Sequence, residues 1–506
     1  MRIERTKNTV RNIVAGSVNR VINIILPLFT RTAILYIMGT QYLGLSSLFT
    51  SILSFLSLTE LGIGAAMVYS MYKPIAENDH ATICALLNLY KKLYRVIGVI
   101  VLVLGLFLMP FLKILVPEEL PPDINLYLLY FIYLINAVLS YWLFAYKNAL
   151  LQAYQRNDIN SKIASVITFT SYVVMLTSLF LTRNYYAYVI WLPIFTILTN
   201  ILRLVLVNRN FPGLAPEGEV PAELKKSIFK KTSALIGTKL NTVVLNAADN
   251  LVISAFLGLT TIAVYGNYHY IMTSIIGFLG IAYSSMTAGL GNSLQTDSID
   301  DNYRNFEKFS FINSWLVGWC TICLVCLYQP FMRIWVGEEL MFPFYVVLEM
   351  GLYFYIYQIR KIPVVYKDAA GIWWEDRFRP YVCMATNVVL NILLVQVIGI
   401  SGIILSTVFS LFVSIPWENY TVFRYVFHRS SKSYYSKMFL SAGTMLLAGA
   451  VTLWTCSLLG EGIPAFLLKG CICIIVPNVI FAALNCKRAE FSGMMNMVQR
   501  IIKRQF

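Results

Sequence analysis

Apolar stretches of about 20 residues, each bounded by charged or turn-forming residues, recur along this chain, and that is the length of helix that crosses a bilayer. Fourteen such stretches can be placed, at 12–38, 43–71, 90–115, 124–147, 160–182, 186–208, 233–257, 262–291, 306–329, 341–366, 380–399, 402–427, 436–459 and 463–485. The first of them is not uniformly apolar. Arg20, Asn23, Pro27, Thr30 and Arg31 fall at i, i+3, i+7, i+10 and i+11, which is one stripe of a helix, and Asn12, Gly16 and Asn19 extend it toward the N-terminus. A guanidinium is costly in hydrocarbon unless it faces a cavity or a partner. Two on one face, about 16 Å apart along the axis, predict an anionic ligand within the membrane.

The stripe is repeated. At an offset of 219 residues the seventh stretch reads Lys239, Thr242, Asn246, Asp249 and Asn250, and Gly39 meets Gly258. Leu61-Gly-Ile63 matches Leu279-Gly-Ile281, Lys147 and Ala149 match Lys367 and Ala369, and Arg203 matches Arg424 at nearly the same spacing. Each copy holds six stretches, an even number, so both enter the membrane in the same sense. The predicted fold is an all-α polytopic membrane protein: two parallel pseudo-symmetric six-helix lobes, 1–208 and 233–430, around a central cavity. A cytoplasmic amphipathic linker, 209–232, carries Pro212, Pro216 and Pro221 before Lys225, Lys226, Lys230 and Lys231. An additional helix pair, 431–486, and an amphipathic tail, 487–506, lie outside the repeat. Linker and tail are both expected to rest against anionic headgroups.

Composition agrees with the pattern, since 58% hydrophobic and 13% charged residues are far from the roughly 25% charge of soluble domains. Charge fixes the orientation. With both termini in the cytoplasm, only Lys113, Arg183 and Arg333 of the 40 Lys and Arg residues fall on the outer side, while Arg20, Arg31, Lys239, Arg360, Lys361 and Lys469 lie within predicted helices. All others sit in or beside cytoplasmic segments, so the net charge of +15 reflects topology rather than nucleic-acid binding. The basic N-terminus leads into a stretch too long for the apolar core of a cleavable signal and reads as a retained helix.

No Walker A loop or other phosphate-cradling glycine motif is present, the three histidines lack ligand spacing, and no acidic pair is arranged for glycosyl transfer. Cys320, Cys323 and Cys326 lie along one apolar helix without a companion His or carboxylate, and read as small packing residues rather than a metal site. The chain is thus expected to be a transporter, not an enzyme, with no cofactor.

Residues 59–79 (TELGIGAAMVYSMYKPIAEND), continuing through Ile83 to Arg95, resemble polysaccharide flippases of the multidrug/oligosaccharidyl-lipid/polysaccharide (MOP) exporter superfamily. Ala248–Ile253, Tyr366–Arg377 and Asn387–Asn391 look like the second-lobe signatures of the same family, so the resemblance covers residues 1–430. It implies a Wzx-type flippase of the bacterial cytoplasmic membrane, turning undecaprenyl-diphosphate-linked oligosaccharides outward for capsule, O-antigen or exopolysaccharide assembly. Many relatives have twelve helices. In the related lipid II flippases an added pair forms a lipid-tail groove, which leaves a lipid II-type cargo as an alternative. A multidrug antiporter of the same superfamily and a scaffold for glycan-assembly enzymes are further alternatives; polysaccharide polymerases and glycosyltransferases are the protein partners implied.

A lipid diphosphate bearing a hydrated glycan needs cations for the diphosphate and polar groups in place of water. Arg20, Arg31, Lys239, Arg360 and Lys361 are the candidate cations, and Asn19, Asn23, Thr30, Thr242, Asn246 and Asn250 the candidate polar lining, with Tyr265, Tyr268 and Tyr270 as rings for sugar stacking. Asp249, Glu60 and Glu349 are candidates for Na⁺ or H⁺ coupling. Each has a structural alternative. Arg20 and Arg31 can be paired charges, Lys239, Arg360 and Lys361 can snorkel to the inner surface, and Asp249 can serve as a partner for Arg31.

Overall fold

The computed structural model describes residues 5–57 and 63–495, apart from the side chains of some positions such as Lys239 and Asn246. Glu60 and residues 496–506 of the tail lie outside the described residues. Among the described residues every regular element is helical. In chain order the main ones are α1 (Arg5–Ile37), α2 (Thr40–Leu56), α3 (Ile63–Ala76), α4 (His80–Leu108), α5 (Leu126–Trp142), α6 (Asn148–Ala153), α7 (Asn157–Thr182), α8 (Trp191–Asn210) and α9 (Ala222–Thr296). They continue as α10 (Ile299–Val336), α11 (Phe344–Ile359), α12 (Lys361–Ala370), α13 (Arg379–Ile398), α14 (Ile400–Val422), α15 (Lys432–Ser457) and α16 (Ile463–Asn485). Two compact units result, residues 1–263 and 264–506, with the boundary inside α9.

Ten described helices are long and apolar enough to cross a membrane, or eleven when the run bent by 48° at the end of α5 counts as one span. The difference from fourteen sits at three further places. The predicted spans 233–257 and 262–291 are joined in the 75-residue α9, interrupted only at Gly258, whose φ of 86° and ψ of 173° are not helical. The stretch 43–71 is divided between α2 and α3. The stretch 341–366 is divided at Arg360, because Pro363 has no N–H to offer the Ile359 carbonyl and its ring crowds that oxygen. Buried Asn313 of α10 takes up the freed acceptors, its Nδ2 donating to the carbonyls of Gln358 at 3.2 Å and Ile359 at 3.5 Å.

Gly39 and Gly258, paired by the sequence repeat, share an unusual backbone, Gly39 having φ 106° and ψ 177°. At Gly258 the conformation is also enforced from outside: a Cβ there would stand 1.6 Å from Glu118 Oε1, while the Leu259 N–H donates to Glu118 Oε2 at 3.2 Å. At the next residue, the Leu259 backbone closes against Gly44 of α2, where a Cβ would meet the Leu259 carbonyl oxygen at 2.3 Å.

Loop contacts join segments that the charge pattern assigns to one side. On the acidic side of the first unit, which the charge pattern assigns to the outside, Tyr42 donates to Asp123 at 2.5 Å. In the second unit Arg333 pairs with Glu338 at 2.9 Å and with Glu461. On the basic side Asn12 donates to the Gln155 carbonyl, Asn88 to the Gly218 carbonyl and buried Lys147 to the Leu214 carbonyl, which seats the first half of the linker on the first unit. The basic residues that end the linker form the first turns of α9, continuous with the span that follows. In the second unit Lys437 bridges Glu307 and Glu490, each at 2.7 Å. Asp79, in the loop before α4, accepts from the Thr82 hydroxyl and backbone N–H, and these bonds hold its carboxyl below the ordinary value while it caps the helix.

Candidate functional site

The first unit gathers most of the polar stripe. Its N-terminal half is bound to α7: Asp158 N–H donates to Asn12 Oδ1 at 2.6 Å, and Ser165 Oγ donates to Asn19 Oδ1 at 3.4 Å. Asn23 lies one turn on, donating to the Asn19 carbonyl at 2.7 Å. Arg20 is half-buried, and its Nε has no hydrogen-bond partner among the described residues. Thr30 is buried and spends its hydroxyl on the Leu26 carbonyl of its own helix. Arg31 Nη2 donates to the Ala263 carbonyl at 3.5 Å.

From α9, Asn250 Nδ2 donates to Ser51 Oγ at 2.9 Å while its buried Oδ1 is unpartnered. Asp249 beside it is 4% exposed, and Thr242 is exposed. The side chains of Lys239 and Asn246, like Glu60, lie outside the described residues. The N-terminal unit therefore holds a membrane-depth band of two guanidiniums, amide groups and a buried carboxylate.

The second unit holds Arg360, Lys361 and Glu349, and builds around the first of them a network that sequence reading missed. Arg360, at the break between α11 and α12, donates through Nη1 to Glu418 of α14 at 2.7 Å. Arg379 reaches the same carboxylate oxygen at 2.9 Å and binds Asp376 Oδ1 at 2.8 Å, and Asp376 in turn accepts from Lys367 at 2.5 Å. Ser414 accepts from both guanidiniums and donates to Glu418. Every charged side chain in this chain of pairs is at most 10% exposed.

Three cations face two carboxylates, so the network carries one uncompensated positive charge. Lys361 adds another, its Nζ 4.1 Å from the Tyr357 ring centroid, a ring that Arg360 also approaches. Arg360 Nε, Glu418 Oε2 and both amide atoms of fully buried Gln358 have no hydrogen-bond partner among the described residues. Glu349 Oε2 has no hydrogen-bond partner of good geometry among the described residues. A readable signal existed: Glu418 is a carboxylate inside a predicted span, and such a residue demands a partner.

Of the three tyrosines, Tyr268 is fully buried and occupied, donating to Gln329 Oε1 at 3.0 Å and accepting from the Phe342 N–H. Tyr265 is buried and stacks on His269 at 5.4 Å. A groove of about 360 Å³ opens beside α10, α11 and α15, walled by Val325, Leu348, Leu352, Met445, Leu446 and Leu453 among others. Its walls are almost wholly apolar, as suits a hydrocarbon chain.

No protein-family model and no curated protein sequence matches the chain. Solved structures do. The fold is similar to that of the lipid II flippase MurJ in its inward closed conformation, with 15% identity, a TM-score of 0.67, and 94% of this chain and 99% of that one covered. It is similar also to a multidrug resistance MATE family transporter of the MOP superfamily in its inward-facing conformation, at 13% identity, TM-score 0.61, and 80% and 97% coverage. A MATE structure in the bent conformation matches at 12% identity, TM-score 0.54, and 87% and 97% coverage. The chain thus has an all-helical, multi-pass membrane fold shared with MOP-superfamily transporters.

Proposed function

We propose that this chain is a flippase for polyprenyl-diphosphate-linked oligosaccharides, carrying repeat units from the inner to the outer leaflet of the bacterial cytoplasmic membrane by alternating access. The observation that carries the reading is the extent of the likeness to a lipid II flippase. A match over 94% of the chain must reach well past residue 430 into the additional helix pair, whereas the two MATE matches cover 80% and 87%. The apolar groove beside that pair supports a polyprenyl tail, and half-buried Arg20 and Arg31 in the first unit and Arg360 in the second support a diphosphate. The excess of cations over carboxylates at membrane depth argues against a carrier of cationic drugs.

Arg20 and Arg31 hold the diphosphate in this reading, joined by Lys239, Arg360 and Lys361, while the amides of Asn19, Asn23, Asn246 and Asn250 and the hydroxyls of Thr30 and Thr242 replace water around the glycan. Na⁺ or H⁺ coupling falls to Asp249, Glu60 or Glu349. The termini are cytoplasmic, and the polymerase and glycosyltransferases of the same polysaccharide are the partners.

The likeness to MurJ favours one alternative cargo, lipid II itself. Depletion in cells lacking a redundant flippase separates the two. Loss of surface polysaccharide, with its polyprenyl-linked repeat unit accumulating, supports the oligosaccharide reading. Lysis with accumulated lipid II supports the alternative, and unchanged levels of both precursors refute a flippase of either kind.

A further inference from the structure

The nine cysteines are free thiols, and three of them converge although no spacing in the sequence relates them. Cys326 comes from α10, Cys456 from the end of α15 and Cys473 from the middle of α16, and their sulfur atoms all lie within 4.8 Å of one another. All three are buried, at 5%, 3% and 0% exposure, in an apolar cluster with Ile322, Ala448 and Phe481. Cys320 and Cys323, their neighbours along α10, are not part of the group.

We propose that Cys326, Cys456 and Cys473 form a three-sulfur site for a soft monovalent metal ion of the copper(I) class, which staples the terminal helix pair to α10. A triangle of sulfurs with edges of at most 4.8 Å has its centre no more than about 2.8 Å from each corner, and small rotamer shifts give metal–sulfur distances of about 2.3 Å. Thiolate sulfur selects copper(I), zinc or iron–sulfur clusters. Zinc in a structural site takes four ligands, and the described residues offer no fourth His, Cys, Asp or Glu here.

Each ligating cysteine exchanges its S–H bond for a metal–sulfur bond and releases that proton to the medium, with no electron transferred. Packing alone needs only small side chains, which α15 supplies nearby as Ala448 and Gly449, and does not need three sulfurs aimed at one point. Cys326 also lines the apolar groove, as do Met445, Gly449 and Leu453 of α15, so an ion here fixes how far α15 stands from α10.

The test uses the full chain, purified reduced and anaerobically in detergent and titrated with copper(I) against a chromophoric copper(I) chelator. One equivalent per chain should be withdrawn from the chelator, with an ultraviolet thiolate-to-copper band and a higher melting temperature. Cys326→Ser, Cys456→Ser and Cys473→Ser should each lose the equivalent and the melting shift, while Cys84→Ser and Cys471→Ser keep both. Melting curves without metal identify any variant that fails to fold, and for such a position Cys→Ala replaces serine. Failure of the wild-type chain to compete with the chelator, binding unaffected by all three substitutions, or a disulfide between two of the three in protein isolated without reductant would each overturn the proposal.

Discussion

At the scale of single residues, charged side chains inside apolar stretches carry the account. Arg31 contributes one long hydrogen bond to the Ala263 carbonyl, and a charge-assisted contact with a diphosphate contributes about 1.5–3 kcal/mol. Arg31→Ala should therefore cut substrate flipping by at least tenfold while abundance in the membrane stays normal. Arg31→Lys should recover part of it, since charge survives without the bidentate fork; full transport by Arg31→Ala would remove Arg31 from the site. Glu418 differs, being the shared acceptor of Arg360 and Arg379. Glu418→Gln leaves two buried guanidiniums underbalanced and should lower stability by about 3 kcal/mol, read as a lower melting temperature in detergent. Pairing it with Arg360→Gln should restore part of that loss, and a wild-type melting curve for Glu418→Gln alone would mean that the network is not structural. The sequence made Arg20, Arg31 and Arg360 legible because a cation in an apolar stretch is conspicuous by itself. Which carboxylate Arg360 meets was not legible, since Glu418, conspicuous in its own span, lies 58 residues away and no spacing relates the two.

At the scale of elements, hydrophobic length located the helices well and their interruptions poorly. The interruptions follow from single residues whose effect depends on neighbours: Pro363 breaks its helix because Asn313 is there to take the freed carbonyls, whereas Pro27 lies within the unbroken α1. Gly258 was visible only as the repeat partner of Gly39. Its shared backbone conformation with Gly39 and its closure against Glu118 give that pairing a physical meaning. An alanine at 258 must adopt a region open essentially to glycine alone, at a cost of about 1–3 kcal/mol, and must also push Glu118 aside. Gly258→Ala should consequently melt earlier than wild type and transport less, whereas Gly16→Ala, with open space at its Cβ position, should do neither. Equal melting curves for the two variants would contradict the role given to the break.

At the scale of the whole molecule, the alternation of basic and acidic loops is the ground for the proposed topology, because lysine and arginine favour cytoplasmic loops. The loop pairings within each unit agree with it, Arg333 with Glu461 on one side and Lys437 with Glu490 on the other. With Cys471 and Cys486 replaced by serine, Glu119→Cys should react with an impermeant thiol reagent in intact cells, and Glu219→Cys only after the membrane is opened. The reverse pattern would invert the proposed orientation. Cargo was less legible, since an apolar groove and intramembrane cations support the proposed lipid diphosphate and carry no information about a glycan. The central claim, that the chain moves such a lipid across the membrane, is tested most directly in intact cells by treating the outer face with an impermeant agent that cleaves the glycan of the polyprenyl-linked precursor. With the chain present, a substantial share of the precursor should be cleaved; on depletion it should become almost wholly protected, and Arg31→Ala should leave it so. Equal cleavage with and without the chain, in cells holding no second flippase, would contradict the account.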